Sequence, residues 1–240
     1  MKKIILSAIV LICGAVMFAQ TNTSDVYQEG NDNDSYVDQI GYMNDSDVDQ
    51  LGRENDSDVY QDGEENISIV YQTTKVGFLW FFNKHNRSYV DQYGDENESY
   101  VEQYKSENES DVFQYGDYNI SYVNQYGTYH DSYVYQDGEG NYSWVEQDGF
   151  DQDSEVYQYG DKNDSYVYQD EWYNASNDSY VYQDGDDNLS TVTQKGWGHN
   201  SYVYQYNDDN TSTVLQTGLD HYSYVLQDGY DNDSVVQQGN

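Results

Sequence analysis

The most regular feature of the chain is an 11-residue alternation of small, apolar and polar positions that recurs from Ser24 onward. Each unit follows the pattern S-x-V-x-Q-x-G-x-x-N-x, and nineteen units keep the serine, the valine and the glutamine. Alternation with a period of two is strand spacing, so Ser, Val and Gln share one face. The G-x-x-N segment has turn chemistry, since glycine adopts positive φ and asparagine bonds nearby backbone. The pattern predicts one strand and one turn per unit.

Self-similarity at a fixed period predicts a stack in which each unit contacts only its neighbours. The invariant Ser, Val and Gln are small or slim, whereas the alternate positions vary between Tyr, Trp, Thr, Asp and Glu. A narrow stack has no room for variable large groups, so the invariant face points inward and the tyrosines point outward. Identical amides about 4.8 Å apart can then bond one another as ladders. Predicted ladder residues include Ser46, Val48, Gln50, Ser99, Val101, Gln103, Ser132, Val134, Gln136, Ser165, Val167 and Gln169.

The turns reveal that two units make one coil. Turns after even-numbered units all keep their asparagine, whereas four turns after odd-numbered units carry His130, Gln152, His199 or His221 in its place. The true period is therefore 22 residues. We predict an all-β fold, a two-sheet β-solenoid of strand-turn-strand coils with cross-β stacking, whose even edge is the more regular. Predicted turn residues include Gly41, Asn44, Gly94, Asn97, Gly116, Asn119, Gly138 and Asn141.

Three other segments interrupt or precede the array of residues 24–240. Residues 1–19 have a basic start followed by an apolar run from Ile4 to Phe18, which is typical of a secretory signal peptide. Residues 20–23 form a short N-terminal segment. Insertions near 75–85 and 175–178 both follow odd-numbered units, so we expect both at the odd edge. The first contains Phe78, Leu79, Trp80, Phe81 and Phe82, which either pack locally or dock on a neighbour or a membrane.

Charge restricts the function. The chain contains nine Lys and Arg residues and 45 Asp and Glu residues, which gives a formal charge of −36. Such a chain repels nucleic acid and anionic membranes, and stacking predicts like acids on successive strands. The single cysteine excludes disulfide staples and cysteine-based zinc sites.

Candidate chemistry is sparse. No catalytic constellation is visible, so we expect no enzyme. The turn histidines could bind zinc or copper, but replacement of the ladder asparagine explains them better. We expect no cofactor, although loosely bound Ca²⁺ is compatible with stacked turn acids.

The repeat resembles the curlin repeat of bacterial curli fibres. Good matches are QIGYMNDSDVDQ at residues 39–50 and QYGDENESYVEQ at residues 92–103. The resemblance implies a secreted subunit of extracellular, cell-surface amyloid fibres that serve biofilm matrix and adhesion. It also implies three partners: other copies of the same chain, a second curlin-like subunit acting as nucleator, and a curli-type outer-membrane export pore.

Two other functions remain open at this stage. One is a monomeric secreted solenoid that acts as an adhesin or binds cations. The other is an ice-binding solenoid, although that usually has an outward array of threonine rather than tyrosine and acid. Because soluble solenoids need polar caps and the array shows none, we expect exposed strand edges and head-to-tail polymerisation.

Overall fold

The computed structural model describes residues 21–74, 85–171 and 176–239. Within these ranges the chain forms nineteen β-strands and no helix. The predicted signal peptide, the aromatic run Phe78–Phe82 and part of the second insertion lie outside the described residues. The strands are β1 (Thr23–Asn31), β2 (Asp34–Tyr42), β3 (Asp45–Arg53), β4 (Asp56–Glu64), β5 (Ile67–Thr73), β6 (Arg87–Tyr93), β7 (Glu98–Ser106), β8 (Glu109–Tyr115), β9 (Ile120–Thr128), β10 (Asp131–Asp137), β11 (Tyr142–Phe150), β12 (Asp153–Tyr159), β13 (Asp164–Asp170), β14 (Asp178–Asp184), β15 (Leu189–Trp197), β16 (Asn200–Tyr206), β17 (Thr211–Leu219), β18 (Tyr222–Asp228) and β19 (Asp233–Gly239).

Odd and even strands form two separate parallel sheets. The odd sheet has ten strands in the order β1 to β19, and the even sheet has nine in the order β2 to β18. Each strand pairs in register with the strand one coil away, so that Ser132 aligns with Ser154 and Val134 with Val156. These pairings confirm the predicted all-β two-sheet solenoid with a 22-residue period.

The first insertion leaves this register unchanged. Across it, β4 pairs with β6 and Ser57 aligns with Ser88, although the two serines are 31 residues apart. His85 adopts the positive φ of a turn residue, and Asn86 is buried at the position of the ladder asparagine. Both insertions interrupt connections that leave the odd sheet, so the coil resumes at the same place whatever the length of the connection.

The core between the sheets receives one inward-facing valine from each strand. Sixteen buried valines form its apolar cluster, with Val37 and Val236 packed against them. Each valine is flanked on its strand by a buried serine and a buried glutamine. So narrow a core buries little apolar area, so the stability of the stack depends on hydrogen bonds made by the buried amides.

In most turns the first position is a glycine, which allows successive turns to approach closely; Thr74, Lys105, Glu171 and Asn207 are the exceptions. Gly138 has φ 136°, and a Cβ added there would lie 2.1 Å from the carbonyl oxygen of Gly160. Gly140, in the same turn, has φ 70°, and the nearest heavy atom to an added Cβ is Lys162 Cγ at 3.7 Å. The equivalent left-handed position elsewhere holds Glu96 and Tyr118. Close backbone approach therefore requires glycine at the first position only.

We expect Gly138→Ala to destabilise the fold and Gly140→Ala to serve as its matched control. Gly140→Ala should cost about 1 kcal/mol, the usual penalty for a left-handed residue with a side chain. Gly138→Ala should cost at least about twice as much, because the turn must also move away from its neighbour. Denaturant unfolding measures both changes. Equal losses would contradict a requirement for close approach.

Candidate assembly core and outer surface

The inward glutamines bond both along the stack and across it. Gln136 Nε2 donates to Gln158 Oε1 at 2.9 Å, and Gln136 Oε1 accepts from Gln114 Nε2 at 2.9 Å. Gln136 Nε2 also donates to the carbonyl oxygen of Ile120 in the opposite sheet at 3.1 Å. The ladder is therefore polar, because every amide in it donates toward the later coil. It also joins the two sheets, since the repeat glutamines from Gln39 onward donate to backbone carbonyl oxygens across the core.

The predicted ladder residues all lie inside the stack. Each is at most 1% exposed, and the three other predicted glutamines donate to the next glutamine at 2.9 Å. The set is Ser46, Val48, Gln50, Ser99, Val101, Gln103, Ser132, Val134, Gln136, Ser165, Val167 and Gln169.

A second ladder runs through the turns. Asn119 donates its backbone N–H to Asn97 Oδ1 at 3.0 Å, and Asn119 Nδ2 donates to the carbonyl oxygen of Gly138 at 2.9 Å. Asn44 and Asn141 are buried in the same type of turn. The predicted glycines Gly41, Gly94, Gly116 and Gly138 all have positive φ and precede these asparagines. Each turn is thus tied to its neighbours by side-chain amides as well as by backbone.

The turn histidines take over the hydrogen bonds of the asparagine. The backbone N–H groups of Gln152 and His221 donate to Nδ1 of His130 and His199, each at 3.3 Å. His199 Nε2 lies 3.2 Å from the carbonyl oxygen of Lys195. Nδ1 is thus the acceptor of a neutral ring in both histidines, and in His199 Nε2 is the donor. This is the geometry of a substituted asparagine, and no group of three or more His, Cys, Asp or Glu among the described residues could hold a metal ion.

Burial keeps the ring of His130 neutral. Its desolvation, followed by the charge of Lys105, lowers the pKa of His130 from its ordinary value of 6.5 to about 3. Burial also lowers the pKa of His199. Protonation of either ring would put a charge into the turn ladder and remove the Nδ1 acceptor.

The inward serines contribute size rather than hydrogen bonds. Fifteen serine hydroxyls in the described ranges are buried without a partner, whereas Ser223 Oγ donates to Ser201 Oγ at 3.1 Å. Among these serines the short side chain reaches a partner one strand away only in this pair, whereas the longer glutamine amides bond from strand to strand throughout the stack. The sequence pattern groups Ser with Gln as ladder residues, but only the glutamine amides form a continuous ladder along the stack.

The outer face of the even sheet carries a continuous chain of nine aromatic rings. Neighbouring centroids are 5.3 to 5.6 Å apart, and the rings alternate between two outward positions of successive strands. We call this chain the aromatic zigzag. Its members are Tyr36, Tyr60, Tyr89, Phe113, Tyr133, Tyr157, Tyr180, Tyr204 and Tyr224.

Carboxylates occupy the outward positions that the aromatic zigzag leaves open on β2, β4, β6, β8 and β12, whereas tyrosine or leucine occupies them on the other four even strands. Asp58 aligns between Tyr36 and Tyr89, and Asp91 aligns between Tyr60 and Phe113. The expectation of like acids on successive strands is therefore wrong for this part of the surface. Spacing two carboxylates by two strands instead of one halves their repulsion, from about 0.9 to about 0.45 kcal/mol even in bulk water.

One column of acids does follow the expectation. Glu109, Asp131, Asp153 and Asp178 begin successive even strands and align directly. They line an open groove of about 420 Å³ at the odd edge. Desolvation, followed by the neighbouring carboxylates, raises the pKa of Asp153 to about 6. We call these four residues the acid column, where protonation begins well above the usual range of aspartate.

Comparison with known proteins identifies the repeat. A family model described as the curlin associated repeat matches residues 21–52, 106–138, 175–196 and 185–218. No curated protein matches the chain. The described part of the chain contains no helix long and apolar enough to cross a membrane.

We expect Gln136→Leu to destabilise the stack far more than Tyr135→Ser. The leucine leaves Gln114 Nε2 and Gln158 Oε1 without their ladder partner, and each buried polar group left unbonded costs about 1–3 kcal/mol. Tyr135 lies outside and contributes ring contacts with Tyr115 and Tyr159 at 5.5 and 5.3 Å. The free energy of unfolding measures both changes. Similar losses would show that the amide ladder is not the dominant polar interaction.

We expect His130→Asn to protect the fold at acid pH. Below about pH 6.5 the unfolded chain binds a proton at His130 while the folded chain does not, so stability falls as pH decreases toward 3. Asparagine keeps the ladder and removes this titration. The free energy of unfolding of the variant minus that of the parent should therefore increase by more than about 1 kcal/mol when the pH is lowered from 7 to 4.5. A difference that does not change with pH would contradict a buried neutral histidine.

Proposed function

Because the chain carries curlin-associated repeats, we propose that it is a secreted structural subunit of curli-type extracellular fibres. Copies of the β-solenoid stack end to end through their terminal strands, and the fibres serve as biofilm matrix and as a cell-surface adhesive. The function is structural rather than catalytic. By the same family likeness, a second curlin-like subunit nucleates the fibre and a curli-type outer-membrane pore exports the chain.

The observation that carries this proposal is the exposure of the inward face at both ends of the described array. Among the described strands, β1 and β19 are the edges of the odd sheet, and β2 and β18 are the edges of the even sheet. Val26 of β1 is 45% exposed, whereas Val134 at the same position in β10 is fully buried. Unpaired edges of this kind are templates for strand addition. A second copy would bury the valine and pair the backbone.

The polarity of the glutamine ladder favours head-to-tail stacking. Gln28 Nε2 donates to Gln50 Oε1, so the Oε1 of Gln28 faces the open end at β1. At the other end Gln238 Oε1 accepts from Gln216 Nε2, which leaves Gln238 Nε2 toward the open side. Joining opposite ends continues the ladder donor to acceptor. Joining like ends would instead place two amide donors, or two amide acceptors, next to each other, and no hydrogen bond could form between them.

We expect the purified secreted chain to form fibres that bind thioflavin and show cross-β diffraction. Assembly should be slow at neutral pH and low salt, because each added copy is strongly acidic and is repelled by the negative charge of the fibre. It should accelerate near pH 4.5, where Asp153 of the acid column, whose pKa is raised to about 6, has lost its charge, and in high salt. Electron microscopy and thioflavin lag times measure this.

Calcium and sodium chloride at matched ionic strength separate bridging from screening. Faster assembly with calcium would show that divalent ions join carboxylates of neighbouring strands. Equal acceleration would leave screening alone. A chain that stays monomeric for days at micromolar concentration under all these conditions would overturn the fibre function and favour a monomeric adhesin or cation-binding solenoid.

A further inference from the structure

The two sheets of the described array differ by one strand. The odd sheet has ten strands and the even sheet has nine. If a second copy stacked with its odd sheet on the odd sheet of the first, β1 would pair with β19 and β2 would face β18. The odd sheet would then be one strand longer per copy than the even sheet. Every joint would leave a gap of one strand, about 4.8 Å, between β18 and β2.

A half-turn about the long axis removes this gap. The chain reverses direction at each turn, so the strands of the two sheets run in opposite directions. Rotation by 180° about the stacking axis exchanges the sheets and reverses the strands, so β1 of the second copy runs parallel to β18. Likewise β2 of the second copy pairs with β19. The last strand of one copy and the first strand of the next then complete one coil.

We propose that successive copies in the fibre are related by a half-turn, in addition to any twist of the array itself, with an advance of about 46 Å per copy at the usual strand spacing. This inference rests on the proposed function, because it specifies the joint between fibre subunits. The partner is a second copy of this chain. The joint pairs β18 with β1 and β19 with β2, so two copies make one structural repeat.

The residues at this joint continue the internal ladders. Gln227 of β18 aligns with Gln28 of the next copy, and Gln238 aligns with Gln39. The turn asparagine Asn232, whose Nδ2 donates to Asn210 Oδ1, meets Asn33 of the next copy. The odd and even half-repeats share these residues, which is why one sheet can accept the other.

The aromatic zigzag provides an independent argument for the half-turn. It ends at Tyr224, whose centroid is 5.6 Å from that of Tyr204. The alternation places the next ring at the outer position directly above Leu226. With the half-turn this position holds Tyr27 of the next copy, which is 55% exposed in the single chain. Without the rotation Tyr27 aligns with Gln237 on the opposite sheet, and the zigzag stops.

Three like-charged pairs also meet at the joint. Asp228 aligns with Glu29 of the next copy, Asp231 with Asp32, and Asp233 with Asp34. These carboxylates lie at the surface, where salt and protons reach them. The joint is therefore expected to form faster in acid or salt, in the same direction as the effect of the acid column.

Disulfide trapping distinguishes the two joints. In a Cys13→Ser background, the natural cysteine is removed and the introduced thiols are the only ones. One variant carries Tyr27→Cys with Leu226→Cys, and the matched control carries Tyr27→Cys with Gln237→Cys. All three positions are exposed and face outward. In each variant the two cysteines lie at opposite ends of the array, so a disulfide between them joins two chains.

The half-turn places residue 27 one strand spacing from residue 226, within the Cα separation of 4.4–6.8 Å that a disulfide needs. It places residue 237 on the far side of the solenoid. Mild oxidation of fibres should give covalent multimers on a non-reducing gel for the 27/226 variant and not for the 27/237 variant. The reverse pattern, multimers in both or multimers in neither would overturn the half-turn while fibres remain visible by electron microscopy. An absence of fibres from the Cys13→Ser parent would instead overturn the proposed function, and the joint with it.

Discussion

The whole architecture depends on parallel strand pairing in which each residue lies beside its equivalent one coil away. Because of this constraint, the equivalent side chains of successive coils form a column, and an attraction or repulsion between two of them is repeated along the whole column. A glutamine is useful because another glutamine is at bonding distance above and below it, as for Gln114, Gln136 and Gln158. A carboxylate is costly for the same reason. Because the apolar core is narrow, the stability of the stack depends on the interactions between side chains within these columns.

Much of the fold follows from spacing alone. Period-two alternation gives the strand, Gly-x-x-Asn gives the turn, and the difference between odd and even turns gives the two-strand coil. The inward position of Ser, Val and Gln also follows, because an invariant slim face fits a narrow interior. The role of His130 could be inferred from its place in the repeat, and its Nδ1 accepts the hydrogen bond that an asparagine oxygen accepts elsewhere.

Other features required the structure. The serines are indistinguishable from ladder residues in the pattern, yet within the strands only the glutamines form a continuous hydrogen-bonded ladder. The alternation of Tyr and Asp on the outer face was present in the sequence at 22-residue spacing, as Tyr36 and Asp58 show. Total charge hides this alternation, and ring separations of 5.3 to 5.6 Å depend on side-chain rotamers that a sequence pattern does not specify. The predicted ladder and turn positions recur at the same place in each coil, because every copy of the repeat obeys the same geometry.

The unchanged register across the first insertion has a consequence for how such a chain can diversify. Ser57 and Ser88 align in the same register as the serines of other neighbouring coils, although the chain between them is longer. The stack therefore constrains where a connection leaves and returns, and leaves its content unconstrained. In the proposed fibre, a foreign peptide inserted at this edge would be displayed once per subunit at regular intervals. The same freedom would allow a new surface segment to be added at this edge without any change in the paired strands.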